Sequence, residues 1–178
     1  MSTSAGKHLA AVITHKGGPL TVVERPTPTP GPKQILVEVR AFAINPVDYL
    51  QRETGMYVES YPAICGSDVA GIVVQRGTDV RPDAPATGAR VVAFATACYS
   101  MGNPDYGAFQ EYVLVSEDHI AILPDSFTFV EGSVFPMAAW TTWNGWLWAG
   151  IPRVMESYPV NEGLLIWGAS SSMGTLAV

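Results

Sequence analysis

Glycine and proline punctuate most of this chain so closely that its apolar runs stay short, and short runs rich in β-branched residues are strands rather than helices. Residues 9–15 and 35–44 are dominated by Val, Ile, Leu and Ala. In the second run Glu38 and Arg40 alternate with Val37 and Val39, which predicts a strand with one wet face. Between them, residues 25–33 carry Pro26, Pro28, Pro30 and Pro32, whose fixed φ and missing amide donors forbid helix and central strand alike. This stretch reads as an extended surface connector. Further strands are expected at 69–75, 90–95, 108–115 and 120–123, separated by turn-forming clusters such as 77–79 and 82–88. Several short strands at this spacing suggest a barrel, and a composition 48% hydrophobic and only 15% charged supplies the apolar side chains to fill one.

Near Phe127 the pattern changes. Residues 130–148 lose the alternation, contain Pro136 and are followed by Gly150 and Pro152, as a kinked helical stretch would be. At helical spacing Trp140, Trp143 and Leu147 share one face, read first as core packing and alternatively as an aromatic wall for a flat ligand. Residues 163–167 then form a short apolar run, 168–174 a turn of small residues, and Thr175 opens a helix. A strand, a Gly/Ser turn and a helix start make the opening of a mononucleotide-binding βαβ unit, which takes roughly 30 residues to complete. The expected organisation is therefore a β-barrel domain over 1–128, a bridging helical segment over 129–162, and the first strand-turn-helix of an α/β nucleotide domain over 163–178.

A net charge of −6 argues against nucleic acid and against an anionic membrane surface as partners. No stretch is apolar for long enough to span a bilayer, and residues 1–7 lack the apolar centre of a secretory signal, so a cytoplasmic location is expected. Cys65 and Cys98 are too few for a disulfide framework and are expected as reduced, buried thiols. His8, His15 and His119 show no ligand spacing and are given no role.

One ordered set of motifs carries more weight than any single residue. It runs Asn45-Pro46-Val47-Asp48, Gly66-Ser67-Asp68-Val69-Ala70-Gly71, Gly88-Ala89-Arg90-Val91, Gly107-Ala108-Phe109-Gln110-Glu111-Tyr112, Leu123-Pro124 and Gly168-Ala169-Ser170-Ser171-Ser172-Met173-Gly174. In this order the set resembles the medium-chain dehydrogenase/reductase superfamily, in its zinc-independent quinone oxidoreductase and enoyl reductase branch, and is similar to fungal trans-enoyl reductases. The resemblance implies a mainly β, GroES-like barrel followed by the beginning of a Rossmann domain, with NADP in the cleft between them. Zinc-dependent relatives carry a Cys near Asn45 and a Gly-His-Glu where this chain has Gly66-Ser67-Asp68, so no metal is expected. The implied activity is NADPH-dependent reduction of an activated double bond in an enoyl or quinone substrate, by an oxidoreductase that is incomplete in these residues alone. A homodimer is compatible with this reading. The alternative is a non-catalytic GroES-like barrel fragment with a binding or regulatory role.

Carried onto this chain, the resemblance places Asn45, Pro46, Val47, Asp48 and Tyr49 along the nicotinamide, where they equally form a turn before a helix. Tyr57 falls near a family position whose phenol is the proposed proton donor, which makes it a candidate catalytic and substrate-binding residue. The competing reading makes it an amphipathic wall residue. Thr141 is a candidate for both catalysis and cofactor contact, with Thr142 and Trp143 on the substrate; the competing reading has such hydroxyls bonded back to their own helix. Ser170, Ser171, Ser172, Met173 and Gly174 would meet the cofactor pyrophosphate at a helix N-terminus.

Overall fold

The computed structural model describes residues 6–151 and 165–178. Among these described residues seven strands are seen: β1 Lys7–Ile13, β2 Leu20–Pro26, β3 Gln34–Ala43, β4 Asp68–Arg76, β5 Arg90–Phe94, β6 Tyr112–Ser116 and β7 Ile120–Ile122. Strands β1 and β2 form an antiparallel pair, and the other five form an antiparallel sheet in the order β6-β3-β4-β5-β7. Single bridges, Ala10 to Gln110 and Ile13 to Ala63, close the pair onto the larger structure.

Period-two alternation decides what fills the interior. Ile35 and Val37 of β3, Val69 and Val73 of β4, Val91 and Ala93 of β5, and Val113 and Val115 of β6 are all buried in one core, which Val12 and Ile13 of β1 join. On β3 the intervening Glu38 and Arg40 pair with each other at the surface, so the expected wet face is present. Helix α1, Pro46–Thr54, follows β3; its N-terminal proline needs no amide partner, and Gly55 closes it in a left-handed conformation.

Three of the expected strand assignments differ from the structure. Strand β2 was not anticipated from the sequence: it lies at the sheet edge, mostly exposed, and runs into Pro26, so only 27–33 remain as connector. The expected strand at 108–115 begins only at Tyr112, because Ala108, Phe109 and Gln110 send their amides to Gly66, Cys65 and Ala108 instead of a strand ladder. At the other end, residues 163 and 164 lie outside the described residues and 165–167 are not strand. A parallel strand needs neighbours for its backbone groups, and among the described residues none lies beside this one.

Where a bridging helical segment was expected, the described residues hold two helices, α2 Phe129–Ser133 and α3 Pro136–Trp148, broken before Pro136 as expected; 152–162 lie outside the described residues. Thr128 caps α2 through the Glu131 amide, and the Glu131 carboxylate returns the bond to the Thr128 amide at 2.8 Å. The Trp face of α3 is not its core face. Ala138 and Thr142 are the buried pair, whereas Trp143 and Leu147 are exposed, because small residues let the helix backbone approach what it packs on. Trp140 is held differently, stacked on Phe94 with ring centroids 5.5 Å apart. Helix α4, Ser172–Ala177, begins three residues before the expected Thr175, with Ser171 as its N-cap.

Candidate active site

Three pieces of chain, far apart in sequence, wall one cavity of about 300 Å³. Asn45, Pro46 and Val47 come from the start of α1, Met137, Ala138 and Thr141 from the first turns of α3, and Ser171, Ser172 and Met173 from the start of α4.

Each wall has a local reason to be where it is. The turn into α1 is held by Asp48, whose carboxylate accepts from the Asn45 amide at 2.7 Å and from the Gly66 amide at 3.1 Å. The start of α3 is held by Asp68, which accepts from the Met137 amide at 2.6 Å. The same carboxylate accepts from the Asn45 side-chain amide at 2.8 Å. The third wall is tied to the second by the Thr142 hydroxyl, which donates to the Met173 carbonyl at 3.0 Å. Within α4, Ser171 Oγ accepts from the Gly174 amide, and a Cβ on Gly174 would lie 2.1 Å from the Gly168 carbonyl oxygen, so only glycine lets the turn close on the helix.

Burial dominates the electrostatics. It pushes the Asp48 carboxyl up to about 6, against the two amides that favour its ionised form, with the nearby Asp68 charge adding to the rise. Asp68 is raised by burial as well, opposed by its bonds from Asn45 and Met137. Burial drives the Cys65 thiol up to about 12, so it is inert; Cys98, also buried, is raised and lies 3.9 Å from Ser67 Oγ.

Of the residues singled out from sequence, Asn45, Pro46, Val47, Thr141, Ser171, Ser172 and Met173 meet around this cavity. Others are placed elsewhere. Asp48 faces inward and is spent on backbone amides. Tyr49 and Ser170 are exposed and do not line the cavity. Tyr57 is half-exposed, in a left-handed conformation with φ of 57°, and also stands outside the lining. Thr142 and Gly174 line a neighbouring cavity between α3 and α4, and Trp143 borders a groove beside β5 and β7. The Thr141 hydroxyl donates to the Met137 carbonyl at 2.7 Å, one turn back. The sequence reading missed Met137, Ala138 and Asp68. Met137 and Ala138 were legible once Thr141 was placed in a helix, since they lie four and three residues before it on the same face. For Asp68 the only signal was its place in the Gly66-Ser67-Asp68 motif; its two partners lie 23 residues before it and 69 residues after it.

The arrangement can hold a flat, partly polar group between the α1 turn and α3, with a phosphate-bearing portion toward α4. Residues 31–125 match the alcohol dehydrogenase GroES-like domain. The chain is 49% identical over 176 residues to the trans-enoyl reductase tndF of Aspergillus flavipes, covering 98% of this chain and 51% of that protein. It is 47% identical over 175 residues to the trans-enoyl reductase tazE of Aspergillus terreus, covering 97% of this chain and 58% of that protein. Among solved structures, an alcohol dehydrogenase superfamily protein from Novosphingobium aromaticivorans superposes with a TM-score of 0.78 at 28% identity, over 96% of this chain and 48% of that one. The quinone oxidoreductase from Coxiella burnetii does so with a TM-score of 0.67 at 26% identity, over 82% of this chain and 46% of that one. The chain thus spans about half the length of the curated relatives it matches.

Proposed function

Because the chain belongs to the medium-chain dehydrogenase/reductase superfamily, by way of its alcohol dehydrogenase GroES-like domain, we propose that it forms the substrate-side portion of an NADPH-dependent, zinc-independent reductase of activated double bonds. The observation that carries the reading is the single cavity shared by the α1 turn, the first turns of α3 and the α4 turn. Names borne by the similar proteins, trans-enoyl reductase and quinone oxidoreductase, point to a conjugated enoyl or quinone acceptor. NADP rather than NAD is taken from the branch the sequence resembles.

The residues present fit such a cofactor. Gly174 permits the close approach of helix and turn that a pyrophosphate-binding loop needs, and the amides beginning α4 are the groups that would meet its phosphates. Bound there, a reduced nicotinamide would supply a hydride to the β-carbon of the acceptor, leaving charge on its conjugated oxygen. Thr141 would act as an acceptor toward the ring's carboxamide, because its own proton is already given to Met137. Pro46 and Val47 offer an apolar surface to the ring and exclude water from it.

A catalytic zinc does not fit these residues. It needs three protein ligands of Cys, His or carboxylate type. No group of three such side chains converges among the described residues, Ser67 stands where zinc-dependent relatives place an imidazole, and both Asp68 oxygens are occupied by N–H donors. With no metal to polarise the acceptor, hydrogen bonding to the developing oxyanion and a proton from water or a side chain complete the reaction.

The test is a fluorescence titration of the full-length protein with NADPH and NADH, followed by turnover of a simple conjugated enal and a benzoquinone. Tighter binding of NADPH with reduction of either acceptor, undiminished by a chelator, is the expected result. A full-length protein that binds neither nucleotide refutes the reading.

A further inference from the structure

Asp68 is the first residue of β4, the central strand of the five, where it is paired with Ala43 on one side and Phe94 on the other. Its side chain is 1% exposed and uses both oxygens, one on the Asn45 side-chain amide and one on the Met137 backbone amide. Those donors belong to two different walls of the cavity. We propose that Asp68 is a positioning residue, fixing the Asn45 side chain and the first turn of α3 at a set separation across the cavity so that a ligand is met from both sides in one geometry. This rests on the nicotinamide reading of the site.

The chemistry of the side chain explains why two acceptor oxygens are required here. Both partners are N–H donors, and a carboxylate is acceptor-only, so it can serve both at once. An amide at this position serves one and turns its own donors toward the other. Asp68 also dictates which way the Asn45 amide faces, since its nitrogen must point at the carboxylate. The consequence falls on the reacting geometry more than on overall affinity, because most of a dinucleotide's contacts lie away from the nicotinamide end. A misplacement of about 1 Å there can cost on the order of a hundredfold in rate.

The test uses full-length protein with NADPH, with a simple enal and a benzoquinone as acceptors, and active sites counted by fluorescence titration. Asp68→Asn is expected to lower kcat per active site by about tenfold or more while KM for NADPH changes less than about threefold, a split that partial unfolding does not produce once active sites are counted. The swap Asn45→Asp with Asp68→Asn rebuilds both hydrogen bonds with one polarity reversed, and is expected to be about tenfold faster than Asn45→Asp alone, where two carboxylates face each other. If Asp68→Asn does not fold, that second comparison carries the test by itself. Wild-type kcat in Asp68→Asn, or a swap no faster than Asn45→Asp, overturns the positioning role and leaves the reductase reading standing. A wild-type protein that neither binds NADPH nor reduces either acceptor removes the reading and this inference together.

Discussion

Two buried carboxylates, Asp48 and Asp68, do at residue scale what neither could do at the surface: each gathers backbone or amide donors from separate segments. Asp48 makes stability depend on pH in a definite direction. Its carboxyl is raised from 3.8 to about 6 in the folded chain, so between those values the folded state holds a proton that the unfolded state has released. Its contribution is present in full below 3.8 and is lost as pH rises through about 6. Urea midpoints measured across that window should fall with rising pH from this group, and Asp48→Asn should flatten the slope, with its midpoint furthest below wild type at the acid end. Loss of one amide bond there costs about 1–3 kcal/mol. Tyr57 carries a different expectation. General acid catalysis contributes about 100-fold or more, yet this phenol does not line the cavity, so Tyr57→Phe should keep turnover within about threefold of wild type; a hundredfold loss would return it to the role of proton donor.

Two of the glycines at close approaches have consequences that should separate cleanly. On β4 a Cβ at Gly71 would stand 2.1 Å from the Glu38 carbonyl oxygen of β3, beside the register shift between Val39 and Ala41. Gly71→Ala must push the two central strands apart and should destabilise the barrel by about 3 kcal/mol or more, read as a lowered denaturation midpoint. Gly174→Ala creates the same collision with Gly168, but between α4 and its turn. There the barrel should melt as before, while the full-length protein binds NADPH about tenfold or more weakly, a difference of roughly 1.4 kcal/mol per decade. The helices themselves were only partly legible. Pro136 announced the break between α2 and α3, but the core-facing side of α3 was misread, because large apolar residues predict a buried face only when something large lies opposite.

Across the whole molecule, the β1-β2 pair is joined to the rest by one buried polar network as well as by apolar packing. His8 contacts Thr27 at 3.1 Å and Gln110 at 2.9 Å, and Arg25 binds Gln110, the Pro104 carbonyl and Asp105. Burial lowers the pKa of His8 below 6.5, with the Gln110 bond opposing. The folded chain therefore favours neutral His8: its contribution is complete above 6.5 and is lost as pH falls below that value. Because Asp48 acts in the opposite direction over part of this range, the His8 effect is read as a difference: on acidification from neutral the wild-type midpoint should fall relative to that of His8→Gln. The network was invisible in the sequence, where His8 had no spacing to a partner; Gln110 lies 102 residues away.

What the sequence determined alone was the rhythm: alternating Val and Ile on β3 to β6, proline and glycine at the breaks, and an ordered motif set that placed the chain in its family. Those signals are local or additive along the chain, so they survive without coordinates. Tertiary structure alone decided which motif residues share a cavity, that Asp48 faces inward while Asn45 faces the site, and that Asp68 ties two walls together. Each of those depends on where a side chain meets a partner from another element, and no period or spacing in one dimension carries that distance.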